Sequence, residues 1–501
     1  MSRMLTFAAA AALTLVVGAG PVVAQDFRAL ARQDLQKIHD ELSANHPAPA
    51  VPGAASQTFR AWLDAGLQES LAMTGQVNSG DSHAYLLRYY AGGFRDSNIR
   101  VDPTWEGAGP YFGISWPGFT TGWRDGHYVV TYVKPGTRSA PRVGDVVTEC
   151  NLTPIEEFAR AKLDRWEGNL ETEAGRVTSA PYLMWNRNNP FAAGVPSQCS
   201  FQSGRGRARD IQIRPIPVVA GDLEAAYRAT VYMPPATPLA VETVNGRPWI
   251  HVHTFADTTP EDKAAWRAFN AAVEAQAAAA RGPQGFVLDL RAAQGSGQNS
   301  STARGYGLAN RIWTPEFTVS RQPAAGDITY RATQGNRDWY AAALGRMEAD
   351  PAFVQESMPV IEQTREVVAA YDAAIAAGQA TFTLAGRPAV ADTGAANPVQ
   401  GPVIVLVDAG CSGGCLDTLD LLSKLPNVRI VGSTTATDSI FVEPTVQRLP
   451  SNYSDLGYGH KAWTSRPRAN NQPYTPAAGL VYTGNPADEA AVRAWVGTLF
   501  Q

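Results

Sequence analysis

Residues 405–415 read Val405-Leu-Val-Asp-Ala-Gly-Cys-Ser-Gly-Gly-Cys415, an aliphatic run that passes into a glycine-rich turn. An aliphatic run bounded by glycine is typical of a buried strand, and the glycines mark the turn that ends it. We predict a strand over 403–408, a turn, and a helix over 415–425 followed by a strand over 428–431. Ser412 then lies in the turn, where a helix begins.

The same alternation of strands and helices extends through the C-terminal half, residues 240–501. Strand-like runs over 249–255 and 286–290 flank a helical segment over 261–281. This order favours an α/β domain with a largely parallel sheet. The alanine-rich, amphipathic segment at about 335–380 is predicted to be a helical insertion that forms a lid or arm.

Two further regions precede the α/β domain. Residues 25–102 carry apolar side chains at helical spacing, which predicts a helical N-terminal domain. Residues 103–225 contain short β-rich runs divided by proline and glycine, with a helical insert near 155–166, and predict a β-rich domain.

The first 24 residues resemble a signal peptide. Ser2-Arg3 precede an apolar run over 4–17, and small residues before Gln25 suit a signal peptidase. That run is shorter than the ~20 apolar residues that a membrane span needs, and no later stretch reaches that length. We expect a periplasmic or secreted protein without a membrane span after cleavage.

Composition narrows the classes of partner. The chain has 501 residues and a formal net charge of −4, without a run of Lys or Arg. It therefore lacks the basic surface that nucleic-acid binding requires. We expect no nucleic-acid partner and no cofactor, and the sequence does not indicate an oligomeric state.

Four cysteines in an exported chain predict two disulfides. Cys150 and Cys199 each lie at the end of a strand-like run, and we expect a cross-strand bridge between them. Cys411 and Cys415 then pair, because a helical turn brings residues four apart close together. The alternative for this second pair is a redox-active dithiol, although such pairs usually have Cys-x-x-Cys spacing.

Two segments resemble the tail-specific, or C-terminal-processing, serine peptidase family. One is Gly285-Phe-Val-Leu-Asp-Leu-Arg291 followed by the glycine-rich 295–300, and the other is the turn over 405–415. The resemblance implies a crotonase/ClpP-like peptidase domain at 240–501, a PDZ-like domain at 103–225, and polypeptide as substrate or ligand. It also implies hydrolysis through an acyl-enzyme formed on a serine.

The chain departs from that family at the residues that carry catalysis. The family serine falls on Gly413 and the family lysine on Asp438, and a position that is often Asp-x-His reads Asp96-Ser-Asn98. Ser412 is the local replacement for the nucleophile. Asp438 is then a candidate for orienting a general base, since an acid cannot imitate an amine.

The candidate bases are His460 and Lys461, and the candidate oxyanion donors are the backbone N–H groups of Gly413 and Gly295. Each has a structural alternative. Ser412 also suits a helix N-cap, Asp438 a loop, and the two bases a solvated surface. The functional alternative is a pseudopeptidase that binds polypeptide as an adaptor.

His251 and His253 lie on one face of a predicted strand, as in some metal sites. The sequence shows no third ligand, so we expect a structural role and no metal. The glycine-rich turn at 295–297 matches neither a phosphate loop nor a dinucleotide fingerprint.

Overall fold

The structure is a computed structural model that describes residues 26–104, 114–295 and 300–501. The predicted signal peptide, residues 1–24, lies outside the described residues. Within the described ranges, no helix is long and apolar enough to cross a membrane. Two disulfides, Cys150–Cys199 and Cys411–Cys415, are present as predicted. They are consistent with an oxidising compartment.

The described N-terminal segment begins with three helices and a short strand: α1 (Phe27–Asn45), α2 (Ala54–Met73), α3 (Gly80–Gly93) and β1 (Arg100–Pro103). Asp26 caps α1 by accepting hydrogen bonds from two backbone N–H groups of the first turn. Leu35, Ile38 and Leu42 recur at helical spacing and are fully buried. The helical prediction for this region agrees with these three helices.

The β-rich segment consists of β2 (Ser115–Trp116), β3 (Phe119–Arg124), β4 (His127–Val133), β5 (Val146–Cys150), β6 (Thr153–Pro154), α4 (Ile155–Leu163), α5 (Glu173–Ser179), β7 (Gln198–Gln202), β8 (Arg209–Gln212), β9 (Ile216–Pro217) and α6 (Asp222–Arg228). Its main sheet has the order β3-β4-β5-β7-β8, so β8 is an edge strand. Cys150 lies directly opposite Cys199 in the β5–β7 pair, as the cross-strand bridge requires.

The remaining elements are β10 (Leu239–Val244), β11 (Arg247–Val252), α7 (Pro260–Arg281), β12 (Phe286–Asp289), α8 (Ser300–Trp313), α9 (Pro315–Thr318), β13 (Ile328–Arg331), α10 (Gln334–Ala349), α11 (Pro351–Ala376), β14 (Thr381–Leu384), β15 (Val403–Val407), α12 (Gly414–Leu422), β16 (Val428–Gly432), β17 (Phe441–Arg448), β18 (Ser454–Ala462) and α13 (Glu489–Thr498). They confirm a mixed fold of helices and sheets. Helices α10 and α11 occupy the segment in which the sequence predicts a helical insertion.

A five-stranded sheet of order β10-β11-β12-β15-β16 forms the centre of this part. Strands β11, β12, β15 and β16 are parallel, and β10 is an antiparallel edge strand. Every residue of β12 and β15 is buried, which explains their near-continuous aliphatic sequences. Helices α7, α8 and α12 pack on one face of the sheet and α13 on the other.

The second large sheet has the order β1-β18-β13-β14, with β17 paired to β18. Its strands come from both ends of the chain, because Arg100 of β1 lies opposite Gly457 of β18. Leu456 and Tyr458 of β18 pack in the same hydrophobic core as the N-terminal helices. The segment over 441–462 therefore packs with α1–α3, although it follows the parallel sheet in sequence.

Candidate functional site

The chain turns sharply between the central strand β15 and helix α12. The N–H of Cys411 donates to the carbonyl of Asp408 at 3.0 Å, which closes the turn. The N–H of Ser412 donates to the carbonyl of Ala293 at 3.0 Å, and that of Gly414 to the carbonyl of Gly295 at 3.3 Å. The turn therefore lies beside the segment that follows β12.

One buried carboxylate joins the two segments. Asp408 Oδ1 accepts hydrogen bonds from the N–H of Ala292 at 2.7 Å and of Gly410 at 2.9 Å. Burial raises the pKa of Asp408, and these two N–H groups counteract the rise. The sequence analysis placed this residue only at the end of a strand and missed its role. No local pattern distinguishes it from any other acid after a strand.

Two glycines shape the start of α12. Gly413 is the N-cap residue and has φ 56° and ψ −115°, a conformation that favours glycine. A Cβ on Gly414 would lie 2.7 Å from the Cβ of Ser301, which is closer than packed atoms allow. Glycine at these positions therefore lets the helix N-terminus approach α8 closely.

The disulfide Cys411–Cys415 spans this turn. Both cysteines are fully buried, and their Cα atoms are 5.4 Å apart. The sequence analysis expected a helix between them, but only Cys415 is helical, because Gly413 interrupts the helical conformation. The bridge thus fixes the turn to the first residues of α12.

Ser412 is partly exposed. It does not cap α12, since Gly413 is the N-cap residue and no side chain bonds to the cap. In the described part of the chain, no hydrogen-bond partner of its hydroxyl is found. A base positioned to take its proton would have to lie within about 3.2 Å or one water away.

Asp438 is held by two buried arginines. Its Oδ1 lies 2.6 Å from Arg468 Nη1 and 2.9 Å from Arg466 Nη1. The same Arg468 binds Asp417 and Asp420 of α12 at 2.7 and 2.9 Å. Arg468 therefore connects the loop after β16 to helix α12. The contacts of Asp438 include none of the candidate bases.

His460 and Lys461 lie on β18, in the sheet that packs with the N-terminal helices. His460 is 2% exposed, and its Nε2 lies 2.8 Å from the Tyr340 hydroxyl. Lys461 Nζ forms an ion pair with Glu443. Burial lowers the pKa of Lys461, but the Glu443 carboxylate outweighs this effect and the net pKa is raised. The alternative of a solvated surface is therefore wrong for both residues.

Asn98, at the position often occupied by a family histidine, lies close to the segment after β16. Its Nδ2 donates to the carbonyl of Phe441 at 2.7 Å, and the Ser97 hydroxyl accepts from the N–H of Ser439 at 3.2 Å. An amide side chain cannot act as a general base at neutral pH. Asn98 therefore connects the N-terminal helices to the α/β part.

A cavity of about 650 Å³ opens at the carboxyl ends of the parallel strands, where ligands bind in open α/β sheets. Asp408 and Gly410 of the turn line it, facing aromatic residues of the β-rich segment such as Trp123. Tyr232 and His253 separate it from a second cavity of about 510 Å³. The turn that carries Ser412 thus borders a space large enough for side chains of a peptide.

No protein-family model matches the chain, and no curated protein matches it. The chain does match solved structures. The crystal structure of mature CPAF is similar with a TM-score of 0.60 and 14% identity, covering 95% of this chain and 96% of that chain. Mature CPAF complexed with lactacystin gives a TM-score of 0.57 and 14% identity, covering 95% of this chain and 97% of that one.

The photosystem II D1 C-terminal processing protease is a weaker match, with a TM-score of 0.29 and 12% identity over 90% of this chain and 92% of that chain. The CPAF structures alone determine the assignment of the fold, and they match along nearly the whole length of both chains. The chain therefore has the fold of CPAF.

Proposed function

We propose that this protein is an exported, peptidase-like protein that binds extended polypeptide and acts as a pseudopeptidase. The observation that carries the proposal is the outer edge of β8, which pairs with no other described strand and borders a groove of about 820 Å³. An extended peptide can add to such an edge as a further strand, which is the binding mode of PDZ domains.

The direction of the backbone groups on β8 supports this mode. The N–H of Ile213 donates to Ser197 on the β7 side, and Ile211 pairs with Cys199. Backbone groups alternate in direction along a strand, so those of Asp210 and Gln212 point away from β7. They are the donors and acceptors that an added strand would use.

The groove also offers pockets for side chains. Its floor includes Phe119, Ile211 and Ile216, and its rim includes Arg138 and Arg214. Apolar side chains of a peptide would bury against the floor, while the arginines favour acidic residues or a terminal carboxylate.

The substitution Gln212→Pro tests the proposal. It removes the backbone N–H of residue 212, which points away from β7, and leaves the backbone hydrogen bonds between β7 and β8 in place. Gln212→Ala is the matched control, since it loses the same side chain and keeps the N–H. Binding of the full-length mature protein to an array of random decapeptides should fall at least about tenfold for Gln212→Pro and stay near wild type for Gln212→Ala. Equal binding by both variants would show that the peptide does not pair with the edge of β8.

An active peptidase is the second candidate, and the position of Ser412 favours it. Ser412 is partly exposed beside the N-terminus of α12, whose dipole favours negative charge. In this version Ser412 forms the acyl-enzyme, with the N–H groups of Gly413 and Gly295 binding the oxyanion and Asp438, His460 or Lys461 taking part in activation. Each of these three side chains would first have to leave its present partner.

A fluorophosphonate probe separates the two candidates. The pseudopeptidase predicts no adduct on folded, oxidised protein, because the candidate bases His460 and Lys461 are bound to other partners. An adduct that mass spectrometry locates on Ser412, and that is lost in Ser412→Ala, would contradict the pseudopeptidase proposal and support the active peptidase. Cell fractionation of a fusion that carries residues 1–24 tests export separately, and retention in the cytoplasm would contradict it.

A further inference from the structure

Three buried side chains meet on the α13 face of the parallel sheet, at the carboxyl ends of its strands. His251 lies opposite Asp289 in the β11–β12 pair, and His253 follows two residues later on the same face. One potential ligand atom from each lies within 4.8 Å of the other two. The third member, absent from the sequence analysis, is Asp289.

The surroundings of His253 determine which ring nitrogen carries the proton. Its Nδ1 lies 2.7 Å from the carbonyl oxygen of Arg291. Because a carbonyl only accepts, Nδ1 carries the proton and donates it, and Nε2 presents a lone pair. Histidines that bind metals are commonly oriented by such a backbone carbonyl.

His251 is oriented in the opposite sense. Its Nε2 lies 2.8 Å from Glu242 Oε1, so the ring N–H donates to a carboxylate. Its Nδ1 is buried without a hydrogen-bond partner among the described residues, and Asp289 Oδ2 lies 3.5 Å away. The residue as a whole is 8% exposed. A buried lone pair directed at a carboxylate needs either a proton or a cation between them.

We propose that His251 Nδ1, His253 Nε2 and Asp289 Oδ2 bind a divalent transition metal of the zinc class. Two imidazoles and one carboxylate form a ligand set that zinc uses with a fourth, open position. Tetrahedral bonds of about 2.0–2.1 Å place ligand atoms about 3.3 Å apart. The 3.5 Å between His251 and Asp289 already meets this spacing.

Charge around the site is compatible with a cation. Arg291 donates to both oxygens of Asp289, at 2.9 and 2.6 Å, but a carboxylate oxygen has a second lone pair. Glu489 and Glu242 bind Arg291 and Arg493, at 2.9 and 2.7 Å. Three carboxylates thus face two guanidinium groups, which leaves one negative charge for the metal to neutralise.

The fourth position would open to the cavity of about 510 Å³, which His251 and His253 line. The Tyr232 hydroxyl lies 3.2 Å from His253 Nε2 and blocks that nitrogen. Tyr232 lies in the irregular segment after α6, outside any helix or strand, so its ring can move aside without breaking a regular element. Water would complete the coordination from the cavity.

The test is titration of the metal-stripped, full-length mature protein, without a histidine tag, with Zn²⁺ against a chromogenic chelator. Wild type should bind one equivalent, and Co²⁺ should give the visible absorption of a four-coordinate site. His251→Ala and His253→Ala should each weaken Zn²⁺ binding more than tenfold. Glu242→Gln, which removes the carboxylate that orients His251 and pairs with Arg493, should weaken Zn²⁺ binding about 10–100-fold.

The matched control is His127→Ala, which removes an exposed histidine on β4 and should bind as wild type does. Circular dichroism verifies that each variant folds. No Zn²⁺ binding by wild type would overturn the proposal. So would equal binding by wild type, His251→Ala and His253→Ala, since the ion would then be held elsewhere.

Discussion

Asp408 Oδ1 lies 2.7 Å from the backbone nitrogen of Ala292, so one carboxylate connects the end of β15 to the turn that follows the neighbouring strand. Asp408→Ala leaves this N–H and that of Gly410 without an acceptor. We expect the free energy of unfolding to fall by about 2–4 kcal/mol. Asp408→Asn keeps an acceptor oxygen and should lose less than about half of that. Urea unfolding followed by tryptophan fluorescence measures both, and equal losses would contradict this role.

Gly414 is required where α12 approaches α8. Gly414→Ala places a Cβ 2.7 Å from the Cβ of Ser301 and 3.1 Å from its carbonyl carbon, and backbone cannot yield easily. The expected loss is about 1–3 kcal/mol in unfolding free energy. Gly345→Ala is the control, since it lies exposed within α10 with no atom near the new Cβ, and should stabilise by about 0.5–1 kcal/mol. Thermal unfolding of the two variants checks the opposite signs.

Arg468 holds three carboxylates together, two of them on α12. Arg468→Met removes the guanidinium charge that faces the buried Asp417 and Asp420, and we expect a loss of about 3–5 kcal/mol in unfolding free energy. Arg468→Lys should retain only part of this stability, because an ammonium group lacks the planar set of donors with which the guanidinium binds three carboxylates. Arg346→Met, on the exposed face of α10, should change stability by less than about 0.5 kcal/mol. A similar loss in that control would show that the effect is not specific to the cluster.

His460 makes stability depend on pH. Burial lowers its pKa to about 4, although Glu443 opposes the shift. Between pH 4 and the ordinary value near 6.5 the unfolded state binds the proton more strongly, so stability falls as pH falls through this window. The slope from this residue is at most about 1.4 kcal/mol per pH unit. In His460→Gln the urea midpoint should depend less steeply on pH between 6.5 and 4 than in wild type. An unchanged slope would show that other groups cause the pH dependence of stability.

The two disulfides should differ in their contribution to stability. Cys150–Cys199 closes a loop with a sequence separation of 49, and Cys411–Cys415 one of 4. The loop-entropy model assigns them about 4 and about 2 kcal/mol. Paired alanine substitutions should therefore lower the melting temperature more at Cys150 and Cys199. The reverse order would indicate that the bridge at the turn acts mainly on the folded state.

Local features of the fold could be predicted from the sequence. The strand over 403–408, the helix after Ser412 and both disulfides depend on patterns within a few residues or on the small number of cysteines. The positions of His460 and Lys461 could not be predicted, since they depend on β18 joining β1 across more than half of the chain. From the sequence alone Lys461 resembles a surface residue, and only the structure shows that it pairs with Glu443 of β17.

The same limit applies to the sites. His251 and His253 share a face by simple alternation, whereas Asp289 joins them only through the register between β11 and β12. The two arginines that hold Asp438 likewise come from the segment after β18, which is not near it in sequence. Residue types indicated which chemistry to look for, and long-range pairing determined which groups meet.

The pairing of β1 with β18 also fixes when the protein can fold. Synthesis proceeds from the N-terminus, yet the core around α1–α3 includes Leu456 and Tyr458, which lie near the other end of the chain. Until they are made, the N-terminal helices lack part of their core, and contacts between residues so far apart in sequence slow folding. The first 100 residues therefore complete their core only after the segment over 441–462 has been made.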